Sequence, residues 1–180
     1  MTALIRPRRA DDLDALADVL VRVHAVDGYP VEGVEHPIAW LTPPRQLAAW
    51  TALVCDTPVG HIALIKADRD DDAAAVWLRH APGGELDRVA IPVRLFVDPD
   101  HRRLGAGKQL MAAVVEYAHA HALDLVFDVM LKDRAAIHLY ETLGFRRLGT
   151  IDHRHSDGLV EPAAVYLAPS AGTAYPGARR

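Results

Sequence analysis

The chain has 180 residues, 51% of them hydrophobic and 24% charged, with a formal net charge of −4 and one cysteine, Cys55. Those totals suit one globular domain with a sizeable core. They leave no global basic field for nucleic acid, and they exclude an intrachain disulfide or a cysteine-ligated metal cluster. The first residues lack the apolar core of a signal peptide and no apolar run reaches the ~18 residues of a membrane helix, so the expectation is a soluble, cytoplasmic protein with no membrane partner.

Ala3 to Arg8 reads as an opening strand, with Pro7 at its end. Asp11 stands at capping-box spacing before Asp14, and Leu13, Leu16, Leu20 and Val23 follow at helical intervals, which predicts a helix from Asp12 to Ala25. Asp27 to Pro44 is broken by glycines and prolines and carries His24, Tyr29, His36 and Trp40 in or beside it. Long connections of this kind are functional or serve to seal a core, and both readings stand open. Thr51 to Cys55 and Val59 to Ala67 read as strands joined through Asp56-Thr57-Pro58, with Cys55 as a packing residue of the first strand rather than a nucleophile. The acidic run at Asp68 to Asp72 is a solvated turn, and Ala73 to Arg88 is a short strand or helix followed by a loop.

From Val93 to Leu110 an apolar strand stops at Pro99, two arginines and two glycines follow, and a helix-period pattern takes over as far as about Ala120. A strand, a tight loop and a helix start turn backbone N–H groups toward an anion, so this stretch reads as a pyrophosphate cradle. It is not a Walker A loop, because Arg102 stands where that motif has its first glycine and Gln109 where it has Ser or Thr. It is not a Rossmann loop either, since Leu110 replaces the third glycine. Leu125 to Leu131 is short enough for a buried strand, completing a βαβ unit. Asp133 caps a last helix that Gly144 stops, and Phe145 to Ile151 and Ala163 to Leu167 form a strand pair around a loop from Asp152 to Pro162. One domain is expected over residues 1–168, with 169–180 a disordered tail.

Two motifs together resemble a known family. Val97-Asp98-Pro99 followed by Arg102-Arg103-Leu104-Gly105-Ala106-Gly107 matches the Arg/Gln-x-x-Gly-x-Gly/Ala signature of the GNAT acyltransferase superfamily. Ala136-Ile137-His138-Leu139-Tyr140-Glu141-Thr142-Leu143-Gly144-Phe145 resembles its A-x-x-L-Y-E-x-x-G-F signature, and the pair covers roughly Pro92 to Leu148. The resemblance implies an α/β fold, a mixed sheet of six to seven strands flanked by helices and splayed between the fourth and fifth strands. It implies an acyl-CoA co-substrate, most simply acetyl-CoA, and an amine acceptor on a small molecule or peptide, joined in a ternary complex. The alternative is a non-catalytic CoA-binding sensor.

On the same resemblance, the CoA-binding residues are Leu95, Phe96, Val97, Arg102, Arg103, Leu104, Gly105, Ala106, Gly107, Lys108, Asp133, Ala136 and Tyr140. A backbone N–H near Val97 would stabilise the oxyanion, and Tyr140 is the catalytic residue, hydrogen-bonding the CoA thiolate as it leaves. A phenol of pKa about 10 giving its proton fully to a thiol of about 8.5 is uphill by roughly 2 kcal/mol, so a hydrogen bond is the expected contribution. Asp133 stands where many relatives have an asparagine that holds the pantetheine arm, and it serves equally well as a helix N-cap. The general base is unranked among His24, His36, His61, His80, Glu85 and Asp87. The pairs His119/His121 and His153/His155 are too few or badly spaced for a metal, and none is expected. A homodimer is common in such proteins, and nothing in this sequence demands one.

Overall fold

The computed structural model describes residues 2–154 and 160–169. Nearly all of the expected tail, from residue 170 onward, lies outside these residues, as does His155. Seven strands make one mixed sheet: β1 (Leu4–Pro7), β2 (Gln46–Val54), β3 (Thr57–Lys66), β4 (Val89–Val97), β5 (Asp124–Met130), β6 (Arg146–Arg154) and β7 (Val160–Leu167), in the order β1-β2-β3-β4-β5-β7-β6. The helices are α1 (Leu13–Asp27), α2 (Pro37–Leu41), α3 (Asp72–His80), α4 (Ala106–Ala120) and α5 (Arg134–Thr142). β4 and β5 pair in parallel at Val89↔Asp124 and Ala90↔Leu125, as the βαβ reading requires, and the β1–β2, β2–β3, β5–β7 and β6–β7 ladders are antiparallel. Among the described residues no helix is long and apolar enough to cross a membrane.

The chain divides into two compact units, Met1–Ile65 with Pro92–Val114 and Lys66–Ile91 with Val115–Arg180. In the first, α1 buries Leu16, Leu20 and Val23 with Leu41 and Phe96, and Tyr29 and Trp40 pack against that cluster. Each fully buried Leu or Phe contributes about 1.5–3 kcal/mol, so the irregular Asp27 to Pro44 segment does seal a core. The helix start differs from its reading, because Asp12 rather than Asp11 organises it. Asp12 is 4% exposed and accepts from the Arg9 N–H (2.7 Å), from both Arg6 nitrogens (2.7 Å each) and from Thr51 (2.9 Å). The Arg6 hydrogen bonds hold its carboxyl down at about 2.

The β2–β3 turn also differs. Pairing of Val54 with Thr57 leaves a two-residue loop, Cys55-Asp56, with positive φ of 47° and 61°. A loop that short takes its residues out of the strands, and Cys55 is exposed in the turn rather than packed in β2.

In the second unit the ambiguous stretch is α3, which buries Ala73, Ala74, Val76 and Trp77. β6 and β7 run further than expected, pairing from Arg146↔Leu167 through Asp152↔Pro162 to Arg154↔Val160, so cross-strand pairing consumes both ends of the anticipated loop. α5 starts where Asp133 accepts from the Ala136 N–H at 3.0 Å. It stops at Gly144, whose φ is +81°.

Candidate active site

The loop between β4 and α4 is shaped by side chains from α1. Asp98, 2% exposed at the end of β4, accepts from Arg22 at 2.5 and 3.1 Å and from the Asp100 N–H at 3.0 Å. Burial pushes that carboxyl up, but the hydrogen bonds from Arg22 and Asp100 outweigh it, and it stays below its ordinary range. Arg102 pairs in a fork with Asp27, Nη1 to Oδ1 at 3.1 Å and Nη2 to Oδ2, and its Nε donates to the Val97 carbonyl at 3.2 Å. Its charge is therefore matched within the protein. Arg103 is exposed and Lys108 half-buried.

The backbone of this loop turns through left-handed conformations at Arg103 (φ 63°) and Gly105 (φ 80°). The first bond of α4 runs from the Gln109 N–H to the Gly105 carbonyl at 3.0 Å, so the N–H groups of Ala106, Gly107 and Lys108 precede any acceptor inside the helix. They carry the positive end of its dipole. A Cβ at Gly107 would meet Val97 Cγ2 at 3.9 Å, an ordinary contact. The chain's own packing does not require glycine there, and its bare Cα keeps the face open to an incoming group.

Of the residues before the loop, Phe96 is 5% exposed and belongs to the core, whereas Leu95 and Val97 are half-buried. Leu104 is exposed and Ala106 buried. Arg94, within β4, has φ 60°, a conformation that costs a non-glycine residue about 1–2 kcal/mol and interrupts strand geometry.

In the second unit Tyr140 sits at the hub of an aromatic cluster. Its ring lies 4.6 Å from that of Phe127 in an edge arrangement, 5.7 Å from Phe145 and 6.2 Å from Tyr166. The residue is 7% exposed, yet its hydroxyl makes no hydrogen bond among the described residues. Tyr166 in the same cluster donates to Glu141 at 2.9 Å. Burial, with a smaller push from the Asp133 charge, drives the Tyr140 phenol well above its ordinary value, so it remains protonated. Ala136, one turn earlier on α5, is half-buried.

A model of the Acetyltransferase (GNAT) family matches residues 14–145, a span that includes both sequence signatures. The chain belongs to the GNAT acetyltransferase family. N-acetylaspartate synthetase of Xenopus tropicalis is 35% identical over 89 residues, 49% of this chain and about a third (33%) of that relative. Among solved structures, the ribosomal-protein-S18-alanine N-acetyltransferase of Escherichia coli superposes with a TM-score of 0.65 at 21% identity, covering 97% of this chain and 99% of that one. A GCN5-related N-acetyltransferase from Kribbella flavida gives 0.69 at 19% identity over 93% and 98%. Arabidopsis thaliana NAA60 in complex with acetyl-CoA gives 0.68 at 16% identity over 92% and 97%. These likenesses show the fold.

The base candidates of this GNAT acetyltransferase separate on geometry. His61 is fully buried, its Nδ1 3.1 Å from the Arg94 carbonyl and its Nε2 3.0 Å from Arg8 Nη1. The carbonyl fixes the proton on Nδ1, and Nε2 must then accept from the arginine. Burial pushes its pKa down to about 3, so it is a neutral structural acceptor with no free lone pair for an amine. His80 is tied through Nδ1 to the Val76 carbonyl at 3.0 Å and Asp87 to Lys66 at 2.7 Å, while His36 and Glu85 are exposed. His24 donates from Nδ1 to the Pro30 carbonyl at 3.0 Å, which leaves its Nε2 as an acceptor. A cavity of about 460 Å³ lined by Asp14, Asp18, Glu35 and His36 contains no residue of either signature.

Among the described residues no group of three or more His, Cys, Asp or Glu could hold a metal ion. His119 and His121 bond to the Pro169 and Tyr117 carbonyls, and His153 to Asp128 at 2.9 Å. Sequence reasoning missed Arg22 and Asp27. Asp14 and Asp18 already give this helix a charged face, and Asp18 stands four residues before Arg22, so in the sequence both residues read as part of that solvated face.

Proposed function

We propose that this GNAT acetyltransferase moves an acetyl group from acetyl-CoA to a primary amine of a small molecule or peptide by direct attack in a ternary complex. The observation that carries the reading is Tyr140, packed among aromatic rings and kept protonated by burial, whose hydroxyl makes no hydrogen bond among the described residues. A donor kept in that state suits a developing thiolate. The Ala106, Gly107 and Lys108 N–H groups, with the charges of Arg103 and Lys108, suit the pyrophosphate. Arg102 acts through the loop it shapes, its own guanidinium being held by Asp27.

In the reaction the amine nitrogen forms a C–N bond as the thioester C–S bond breaks. The proton lost from nitrogen balances the one that the CoA thiolate gains, and the Tyr140 hydroxyl hydrogen-bonds the sulfur during the exchange. Support also comes from the relatives, whose names speak of N-acetylation, and from NAA60, whose structure was solved with acetyl-CoA. Asp133 holds the α5 cap through one carboxylate oxygen, leaving the other for the pantetheine arm.

The test is thiol release from acetyl-CoA across polyamines, aminoglycosides, amino acids and peptides. Turnover on at least one class is expected. Tight CoA binding with no turnover on any of them would replace this reading with that of a CoA sensor.

A further inference from the structure

In the first unit, Arg6, Arg22 and Arg102 each have an aspartate, namely Asp12, Asp98 and Asp27. Among the described residues Arg8 and Arg94 have none. Arg8 donates to the Leu41 carbonyl (2.5 Å), to His61 Nε2 (3.0 Å) and to Gln46 Oε1 (3.2 Å), and all three are neutral. The Arg94 guanidinium lies 5.0 Å from the centre of the Trp40 ring, and its Nη1 is buried without a hydrogen-bond partner. Burial pulls both arginines down from their ordinary values. Each also feels neighbouring charges: Asp12 favours Arg8, Tyr29 and Glu32 favour Arg94, and Arg8 opposes Arg94.

A half-buried guanidinium normally keeps a carboxylate or a full set of acceptors, because an unmatched cation and an orphan N–H both cost free energy. Here His61, held neutral between Arg8 and the Arg94 carbonyl, adds no negative charge. The left-handed Arg94 backbone is a further departure at the same point of β4. A strained backbone and an unpaired donor on the Arg94 cation over the Trp40 ring, with Arg8 bonded to neutral acceptors alone, mark a place suited to an outside anion.

We infer that the amine acceptor carries a carboxylate, which Arg94 holds with Arg8 beside it, so that the substrate class is amino acids and their close analogues. A planar carboxylate takes two parallel N–H groups from a guanidinium, satisfying Nη1 and the local charge together. This inference rests on the acetyl-transfer reading above and narrows it. It sets aside polyamines and aminoglycosides, whose positive charge the two arginines would repel.

The experiment compares acetyl transfer to L-alanine, L-aspartate and L-glutamate with transfer to their α-carboxamides. The acids should be preferred by at least about tenfold in kcat/KM, mainly through KM. Arg94→Gln should raise KM for the acids more than for the amides while the acetyl-CoA dissociation constant stays the same. Equal use of acid and amide by the unaltered protein, or a preference for polyamines, would overturn the inference, and that comparison does not depend on a variant folding. Should no amine be acetylated, the transfer reading fails by itself. Calorimetric titration of L-glutamate and N-acetyl-L-glutamate then decides the carboxylate site: binding abolished by Arg94→Gln supports it, and no binding refutes it.

Discussion

In the loop from Asp98 to Lys108 the side chains hold the backbone, whereas around Tyr140 the backbone is ordinary helix and one side-chain hydroxyl is left over. Arg22, Asp98, Asp27 and Arg102 are paired with one another, and what the loop presents is a row of N–H groups at the start of α4. In the second unit the Tyr140 ring packs against those of Phe127, Phe145 and Tyr166, and its O–H makes no hydrogen bond among the described residues. An anion such as a pyrophosphate is met by many weak, fixed dipoles, and a single sulfur by one placed donor. The contrast extends to stability, since the first unit buries polar and charged groups where the cluster around Tyr140 buries rings.

The largest expected effect is of acid on the first unit. His61 falls from its ordinary 6.5 to about 3, chiefly through burial, so between those values the unfolded chain binds a proton that the folded one refuses. Stability present above pH 6.5 should then decline by about 1.4 kcal/mol per pH unit as pH falls toward 3. Asp12, lowered from 3.8 to about 2 by Arg6, adds a second loss below pH 3.8. Asp128 in the second unit is raised by burial, against the pull of His153, and has the opposite sign, favouring the folded state as pH falls and losing that contribution as pH rises through its folded value. Urea unfolding at several pH values between 7 and 4 measures the slope, and His61→Asn should flatten it. A slope that survives the substitution would move the acid sensitivity elsewhere.

Next in size is Tyr140→Phe, expected to lower turnover at least about tenfold while leaving acetyl-CoA binding nearly intact. Tyr166→Phe is the matched control. It removes a hydroxyl bonded to Glu141, and should cost about 1–2 kcal/mol of stability without a comparable loss of turnover. Unfolding curves beside steady-state rates separate the two, and equal effects on turnover would erase the distinction between the tyrosines.

What could be read from the sequence follows how local each determinant is. The Asp133 cap and the Gly144 stop each depend on a few atoms within one turn, and both were legible. So was the order of strand, loop and helix start, which lies within eighteen consecutive residues, Val93 to Leu110. Cys55 was misplaced because apolar neighbours look like strand, and only the Val54↔Thr57 register turns it out. Arg22 and Asp98 are 76 positions apart, and no periodicity connects them. For the same reason His61 could not be told from the other histidines until Arg8 and the Arg94 carbonyl were seen on either side of it.

A smaller effect should come from the loop's open face. Gly107→Ala adds a Cβ that the protein itself tolerates, and Ala favours the helix by up to about 1 kcal/mol, so the melting temperature should hold or rise. The acetyl-CoA dissociation constant should nevertheless increase about fivefold, because the new methyl occupies the face where N–H groups meet the ligand. Calorimetry reads both quantities. Unchanged affinity would mean that the ligand does not approach the loop at this residue.

The mildest prediction concerns Asp27, the last residue of α1, where a negative charge faces the negative end of the helix dipole. That placement is unfavourable by a few tenths of a kcal/mol, and the fork with Arg102 is what offsets it. Asp27→Asn should therefore leave the melting temperature almost unchanged, as relief of the dipole clash cancels the weakened pair. Arg102 would keep its bond to the Val97 carbonyl but lose its charged anchor, and the loop should sample wider openings. Acetyl-CoA affinity should drop about threefold, with turnover at saturation preserved, because backbone N–H groups bind an anion well only when something else holds them still. If affinity does not change, the Arg22–Asp98 pair alone sets the loop's shape, and Arg102 serves the end of α1 rather than the cradle.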